Sequence, residues 1–225
     1  MINIKKEIDR LDKKFVDQFK DIPPSDYGHK LHYNLISLNS IKPVNKVENR
    51  FAGQAITVRI TPHDSILVYK AIELAQPGDV LVIDMSGEER YACWGEVTTL
   101  AAKAKGVVAT IVNGPATDSL EIEKNNYTVY ATNTSPMTTK VHGFDGDINI
   151  PVSIDGVVVN PGDLIVGDND GILVIPKNEA EFYLEIGKDE LNKDQARKIS
   201  LESISIDDYL KNVNSFLDDK EINWF

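Results

Sequence analysis

Three carboxylates stand where short loops follow apolar runs: Asp84 after VLVI, Glu96 at the start of EVTTLAAKAKG, and Asp118 in NGPATD. Ligands of α/β sheets gather beyond the carboxyl ends of strands, so this placement predicts a convergent acidic set from three separate loops. Oxygen donors of this kind favour Mg²⁺ or Mn²⁺, hard cations that retain waters and polarise substrate oxygens. Gly95-Glu96 opens a helical segment whose first N–H groups lack partners within the helix, and such groups hold anions. The alternative stays open at this point, because Asp and Glu at loop ends also cap helices and turns. Gly87, Gly95 and Gly114 likewise either admit a close anion or supply unusual backbone angles.

Other chemistries are poorly served. There is no P-loop, no complete dinucleotide fingerprint, no HExxH and no paired-cysteine motif. Cys93, beside Trp94, has no activating partner in sequence and reads as a packed thiol. Ser86 in DMSGEE does not match the GxSxG nucleophile elbow. His29 and His32, three residues apart, read as ordinary surface or interface histidines rather than a metal pair.

Elements that would position the carboxylates can be drawn from periodicity. Residues 1–20 repeat Ile4, Ile8, Leu11, Phe15 and Phe19 at three- and four-residue steps, which predicts a helix stopping at Pro23-Pro24, with Ser25 capping a short helix after it. AGQAITVRI reads as an alternating strand, and HDSILVYKAIELA as a helix capped by Asp64 or Ser65. VLVIDM is a buried strand, WGEVTTLAAKAKG a helix ended by Gly106, and VVATIVNG a further strand ending at Gly114. Strand, helix and strand in such close succession are a layered α/β signature. Asp155-Gly156 and Asn169-Asp170-Gly171 predict hairpin turns, and Pro161-Gly162-Asp163 repeats the Pro77-Gly78-Asp79 turn. A charged helical tail follows over about 178–219, packed on the body or on a neighbour. One domain over 1–225 is expected, with its core at about 20–176.

The 225 residues, 42% hydrophobic and 26% charged, suffice for a sizeable core and exclude a disulfide-stapled miniprotein or a disordered chain. With 24 Lys and Arg against 35 Asp and Glu, the net charge of -11 argues against nucleic acid as a partner. A lone cysteine, no apolar leader and no run of 18 apolar residues predict a cytoplasmic protein without a membrane partner.

PGDVLVID, WGEVTTLAAKAKG, VVATIVNGPATD, INIPVSIDGVVVNPGDLIVGDNDGILVIP and the upstream FAGQAITV with AIELA together resemble the RraA-like family. That family includes 4-hydroxy-4-methyl-2-oxoglutarate aldolases, oxaloacetate decarboxylases and a protein regulator of ribonuclease E. The resemblance implies an α/β swivelling β/β/α domain, here with N- and C-terminal helical extensions, assembled as a homotrimer or homohexamer with clefts between subunits. It implies a divalent-metal-dependent carbon–carbon lyase, aldolase or decarboxylase, acting on a small keto diacid. The alternatives it carries are a diverged metal-dependent enzyme on another small anionic oxyacid, or a noncatalytic regulator that binds a protein partner.

In the aldolase branch an acidic residue is followed, after twenty residues, by Arg-Asp. Glu96 matches the first position and Asp118 the last, which implies both as residues of an Mg²⁺ or Mn²⁺ site. Thr117 stands where the family has the arginine that clamps the substrate carboxylate. Threonine offers one short neutral donor, so Arg90, Arg59, Lys140 or a neighbouring subunit would have to substitute, with Arg90 preferred. The expected catalytic set is therefore Asp84, Arg90, Glu96 and Asp118, with Gly95, Glu96, Val97, Arg90 and Thr117 binding substrate.

Overall fold

The computed structural model describes residues 1–37 and 39–222. In chain order the elements are β1 (Ile2–Ile4), α1 (Lys13–Asp17), α2 (Pro24–Gly28), β2 (Leu35–Ser37), β3 (Lys42–Pro43), β4 (Phe51–Ile60), α3 (Ile66–Leu74), β5 (Val80–Asp84), α4 (Glu96–Ala104), β6 (Ala109–Ala116), α5 (Ser119–Lys124) and β7 (Thr128–Thr134). There follow β8 (Gly146–Ile148), β9 (Val152–Ile154), β10 (Val157–Val159), β11 (Leu164–Asp168), β12 (Gly171–Ile175), α6 (Ala180–Ser203) and α7 (Ile206–Asn214).

The chain builds a mixed sheet with flanking helices, in the order β2-β12-β11-β4-β5-β6-β7-β3. Strands β4 to β7 are parallel and joined by α3, α4 and α5, the expected alternation of strand and helix. β4 is the hinge of the architecture. Its first half pairs antiparallel with β11 and its second half with β8, while β5 runs along its other edge. Every residue of β4 except Arg59 is buried. Polar Gln54 and Thr57 are accommodated by hydrogen bonds to the Gly162 and Ile150 carbonyls, which is why the strand is not the half-exposed, alternating one expected.

The two PGD turns are built alike. Gly78 and Gly162 take φ of +98° and +86°, and the following aspartates, both buried, accept the N–H three residues upstream, of Gln76 and Asn160. Asp155 and Gly156 both have positive φ, the geometry that a two-residue hairpin loop requires.

The expected helix over residues 1–20 is not formed. Ile2–Ile4 instead pairs parallel with β8, residues 5–11 form neither helix nor strand, and only Lys13–Asp17 is α-helical before a 3-10 turn at Gln18–Asp21. Tertiary partners replace the helical ladder: Arg10 makes a two-pronged ion pair with buried Asp79, and Gln54 bonds both the Asp9 carbonyl and the Leu11 N–H. Four of the five apolar residues still face inward, with Phe19 buried and Ile8, Leu11 and Phe15 packed on the core, while Ile4 is exposed. Pro24, not Ser25, opens α2, its fixed φ suiting the first helical position. His29 and His32 lie exposed beyond it, as surface histidines.

β6 also runs past Gly114 to Ala116, through a register irregularity between Val112 and Pro115. The C-terminal tail is helical as expected. In α6, Ala180, Tyr183, Leu184, Gly187 and Glu190 form one buried face, and Gly187 lets α6 approach Tyr27, whose hydroxyl lies 2.4 Å from where a Cβ would stand. Beyond this docked half the tail is largely exposed. Among the described residues no helix is long and apolar enough to cross a membrane.

Candidate functional site

The loops after β5, β6 and β7 lie side by side at the carboxyl end of the parallel strands and are stitched to one another. The Ala92 N–H donates to the Met137 carbonyl, and the Ala92 carbonyl accepts from Thr139 N. The Thr117 N–H donates to the Trp94 carbonyl at 2.8 Å, and Ser135 N to the Ala116 carbonyl. Trp94, buried, fixes this seam by donating its indole N–H to the Thr99 hydroxyl at 2.9 Å.

A cleft of about 220 Å³ opens on the seam, lined by Ser65, Tyr69, Ala92 to Thr98, Thr117, Asp118, Thr138, Thr139 and Val141. The sequence reading placed Gly95, Glu96, Val97, Thr117 and Asp118 together, and all five line it. It did not single out Ser65 and Tyr69 from the α3 region, or Thr138, Thr139 and Val141 from the segment after β7. The only local signal for the latter was a run of small polar residues, TSPMTTK, which names no chemistry by itself.

Asp118 has a constrained geometry. Its backbone is left-handed (φ 55°, ψ 42°), a region that Asp enters more readily than most residues, and its carbonyl starts α5 by accepting from Glu121 and Ile122. Its Oδ2 accepts the Glu96 N–H at 3.0 Å, so the first N–H of α4 holds the carboxylate across the seam. Among the described residues its Oδ1 receives only the Thr117 hydroxyl, at 3.3 Å. Gly95 permits this approach: a Cβ there would stand 2.5 Å from Asp118 Oδ2 and 2.8 Å from Thr117 Cγ2. The start of α4 is further fixed by the Thr98 hydroxyl, which accepts from Gly95 N and donates to the Gly95 carbonyl.

The three expected carboxylates do not converge. Asp84 ends β5 beside Asn113 and Arg59, and its carboxylate accepts the Ser86 N–H, turning the chain locally. Among the described residues no group of three or more His, Cys, Asp or Glu is arranged to hold a metal. Arg90 is exposed, with its guanidinium 5.9 Å from the Tyr91 ring centroid, and is not among the residues lining the cleft. Arg59 ion-pairs with buried Asp147, and Lys140 gives the neighbourhood its main chain, accepting from Ser65 and donating to His63. Gly114 makes room for the Met85 side chain rather than for a ligand, since a Cβ there would lie 2.3 Å from the sulfur.

Two further groups shape the cleft without reacting in it. Burial pushes the Cys93 thiol up to about 12, which keeps it protonated and inert. Asp64 is buried; burial raises its carboxyl, but the N–H groups of Phe144, His142, Ile66 and Gly143 outweigh that and hold it below the usual range. Asp64 thereby ties the 142–144 loop to the start of α3.

The donor set fits a hard divalent cation. Asp118 Oδ1 keeps lone-pair capacity, Glu96 supplies a second carboxylate to the lining, and the other polar groups are hydroxyls. One or two carboxylates completed by water and a ligand are the coordination that Mg²⁺ accepts.

Comparison with known proteins gives one answer at three levels. Residues 20–174 match the model of a family described as RraA-like, Aldolase/RraA. A Halalkalibacterium halodurans protein provisionally named 4-hydroxy-4-methyl-2-oxoglutarate aldolase is 36% identical over 184 residues, 82% of this chain and 87% of its own. An uncharacterized protein of Methanocaldococcus jannaschii is 37% identical over 164 residues, 72% of this chain and 77% of its own. Among solved structures, Streptomyces coelicolor RraAS2, described as an unusual member of the RNase ES inhibitor RraA protein family, aligns with a TM-score of 0.74. That alignment has 26% identity and covers 86% of this chain and 98% of the other.

Proposed function

The chain belongs to the RraA-like family, and from that premise we propose that its cleft cleaves a carbon–carbon bond in a small 2-keto acid with the help of Mg²⁺ or Mn²⁺, by retro-aldol cleavage or β-decarboxylation. The observation that carries the reading is Asp118, fixed through Oδ2 by the Glu96 N–H while Oδ1 keeps capacity for a cation. Asp118, with Glu96, would hold the metal. When bound, the cation supplies Lewis-acid polarisation of the keto group, drawing charge from the bond that breaks.

The chain's own groups do the rest. Gly95 and the Thr98 hydroxyl fix the first turn of α4, and the Val97 N–H in that turn has no carbonyl within the helix to donate to, so it is offered to the substrate carboxylate. Glu96 is the carboxylate suited to move a proton: one leaves the hydroxyl of an aldol substrate as the bond breaks, and one returns to the carbon that receives the electron pair. Trp94, Cys93 and Ala92 close the floor of the cleft with buried, unreactive surface. The exposed side chains of Tyr69, Val97 and Leu100 support the homotrimeric or homohexameric assembly that accompanies this reading.

Calorimetric titration of Mn²⁺ into the wild type and Asp118→Asn, with pyruvate release from oxaloacetate assayed in parallel, tests it. The wild type should bind the ion and turn over, and Asp118→Asn should lose both; equal Mn²⁺ affinity in the two proteins would overturn the assignment. A noncatalytic protein-binding role is the second reading, favoured by the likeness to the Streptomyces structure, whose description is that of an RNase ES inhibitor family member.

A further inference from the structure

Both oxygens of the Asp118 carboxylate are held, each from a different element. Oδ2 accepts the Glu96 N–H at 3.0 Å, and Oδ1 accepts the Thr117 hydroxyl at 3.3 Å. The Thr117 side chain is itself placed from two sides. Its N–H donates to the Trp94 carbonyl at 2.8 Å, beside the bridge that pairs Trp94 with Ala116, and its Cγ2 lies against Gly95, 2.8 Å from where a Cβ would stand. With the methyl group on Gly95, the hydroxyl is left on Asp118. The Asp118 backbone is fixed as well, in the left-handed region at φ 55°, and both residues line the cleft.

We propose that Thr117 is a positioning residue of the cation site: its hydroxyl fixes the Asp118 carboxylate in one orientation and thereby favours Mg²⁺ over Ca²⁺. The proposal rests on the metal-dependent reading above and concerns the ion selectivity of the same site. A carboxylate turns about its Cβ–Cγ bond unless its oxygens are engaged, and here a helix N–H holds one and a hydroxyl the other. A carboxylate oxygen has room for more than one partner, so the Thr117 bond leaves Oδ1 open to a cation. Mg²⁺ demands near-ideal octahedral geometry at about 2.0–2.1 Å, whereas Ca²⁺ takes about six to eight oxygens at about 2.3–2.6 Å in flexible arrangements that include carboxylates giving both oxygens. A carboxylate held still suits the smaller ion, and one free to turn suits the larger.

The test titrates Mg²⁺ and Ca²⁺ calorimetrically into the full-length wild type, Thr117→Val and Thr117→Ser. Valine keeps a methyl group against Gly95 and removes the hydroxyl; serine restores the hydroxyl. The expected result is a wild-type preference for Mg²⁺ that falls by about 3- to 10-fold in Thr117→Val, the scale of one hydrogen bond, and returns in Thr117→Ser. Thr117→Ala serves if the valine variant does not fold. A merely structural role for Thr117 would weaken both ions alike, so an unchanged Mg²⁺ to Ca²⁺ ratio in the valine variant overturns the proposal, whether or not the affinities fall. A serine variant that behaves as valine does, or a wild type that binds Ca²⁺ more tightly than Mg²⁺, overturns it too. These results fall on Thr117 alone, whereas a wild type that binds neither ion overturns the metal-dependent reading together with the proposal.

Discussion

Gly95→Ala isolates the contact on which the site depends. Gly95 sits at φ -160° and ψ -156°, extended backbone that alanine adopts freely, so the substitution adds a methyl group without backbone strain. That methyl would meet Asp118 Oδ2 at 2.5 Å and Thr117 Cγ2 at 2.8 Å, distances at which the neighbours must move. The simplest relief swings the Asp118 carboxylate away and breaks its 3.0 Å bond to the Glu96 N–H. A hydrogen bond to a charged group contributes about 1.5–3 kcal/mol, and overpacking costs about 1–3 kcal/mol. At about 1.4 kcal/mol per tenfold, displacement of the carboxylate should weaken Mn²⁺ binding by about 10- to 100-fold. For a chain of this size the packing cost should lower the Tm by about 2–12 °C. Calorimetric Mn²⁺ titration and thermal unfolding of the two proteins read these quantities. An alanine variant with unchanged Mn²⁺ affinity and unchanged Tm would refute the claim that the glycine exists to bring Asp118 against α4.

Asp64 and Cys93 give further tests. The Asp64 carboxyl is held below its unfolded value, so its stabilisation is present at neutral pH and is lost as pH falls below about 4 through the folded-state value. Asp64→Asn should cost about 1–3 kcal/mol at pH 7 and flatten the acid limb of a urea-denaturation series from pH 6 to 2, and a limb as steep as that of the wild type would contradict this. Amide exchange within His142, Gly143 and Phe144 should quicken in the same variant, because these N–H groups are shared between the two carboxylate oxygens and asparagine keeps only one accepting oxygen. Cys93, buried and pushed up to about 12, should resist a disulfide reagent at pH 8 until urea unfolds the chain; rapid native-state labelling would show that the cleft floor opens.

Much of the body was legible because its signals are local. VLVID and ATIV are apolar runs too short for helices, EVTTLAAKA carries a helical stripe, and Gly106 ends it with φ +77°. The resemblance to the RraA-like family marked Glu96 and Asp118, two residues that line one cleft. The N-terminal segment was misread for a physical reason. Its apolar residues recur at helical spacing, yet the inward positions are equally met by an irregular strap whose backbone and side chains bond to Ile148, Gln54 and Asp79, partners far away in the chain. Asp84 ends its strand as the strand-end rule expects, but it is not among the residues lining the cleft, and its Oδ1 turns its own loop. Tyr69, Thr138 and Val141 were invisible as site residues, since nothing in a sequence records which loops are stitched together.

By itself, then, the sequence determined the layered α/β class and the turns at Pro77-Gly78-Asp79 and Pro161-Gly162-Asp163, while the family resemblance singled out Glu96 and Asp118. The class and the turns rest on periodicity and glycine conformation within one segment. Only the tertiary structure decided that Asp84 and Arg90 are not among the residues lining the cleft with that pair and that Tyr69, Thr138 and Val141 are. Both outcomes depend on main-chain bonds among the loops after β5, β6 and β7, and such long-range pairing is set by the packing of the whole sheet rather than by any one of its strands.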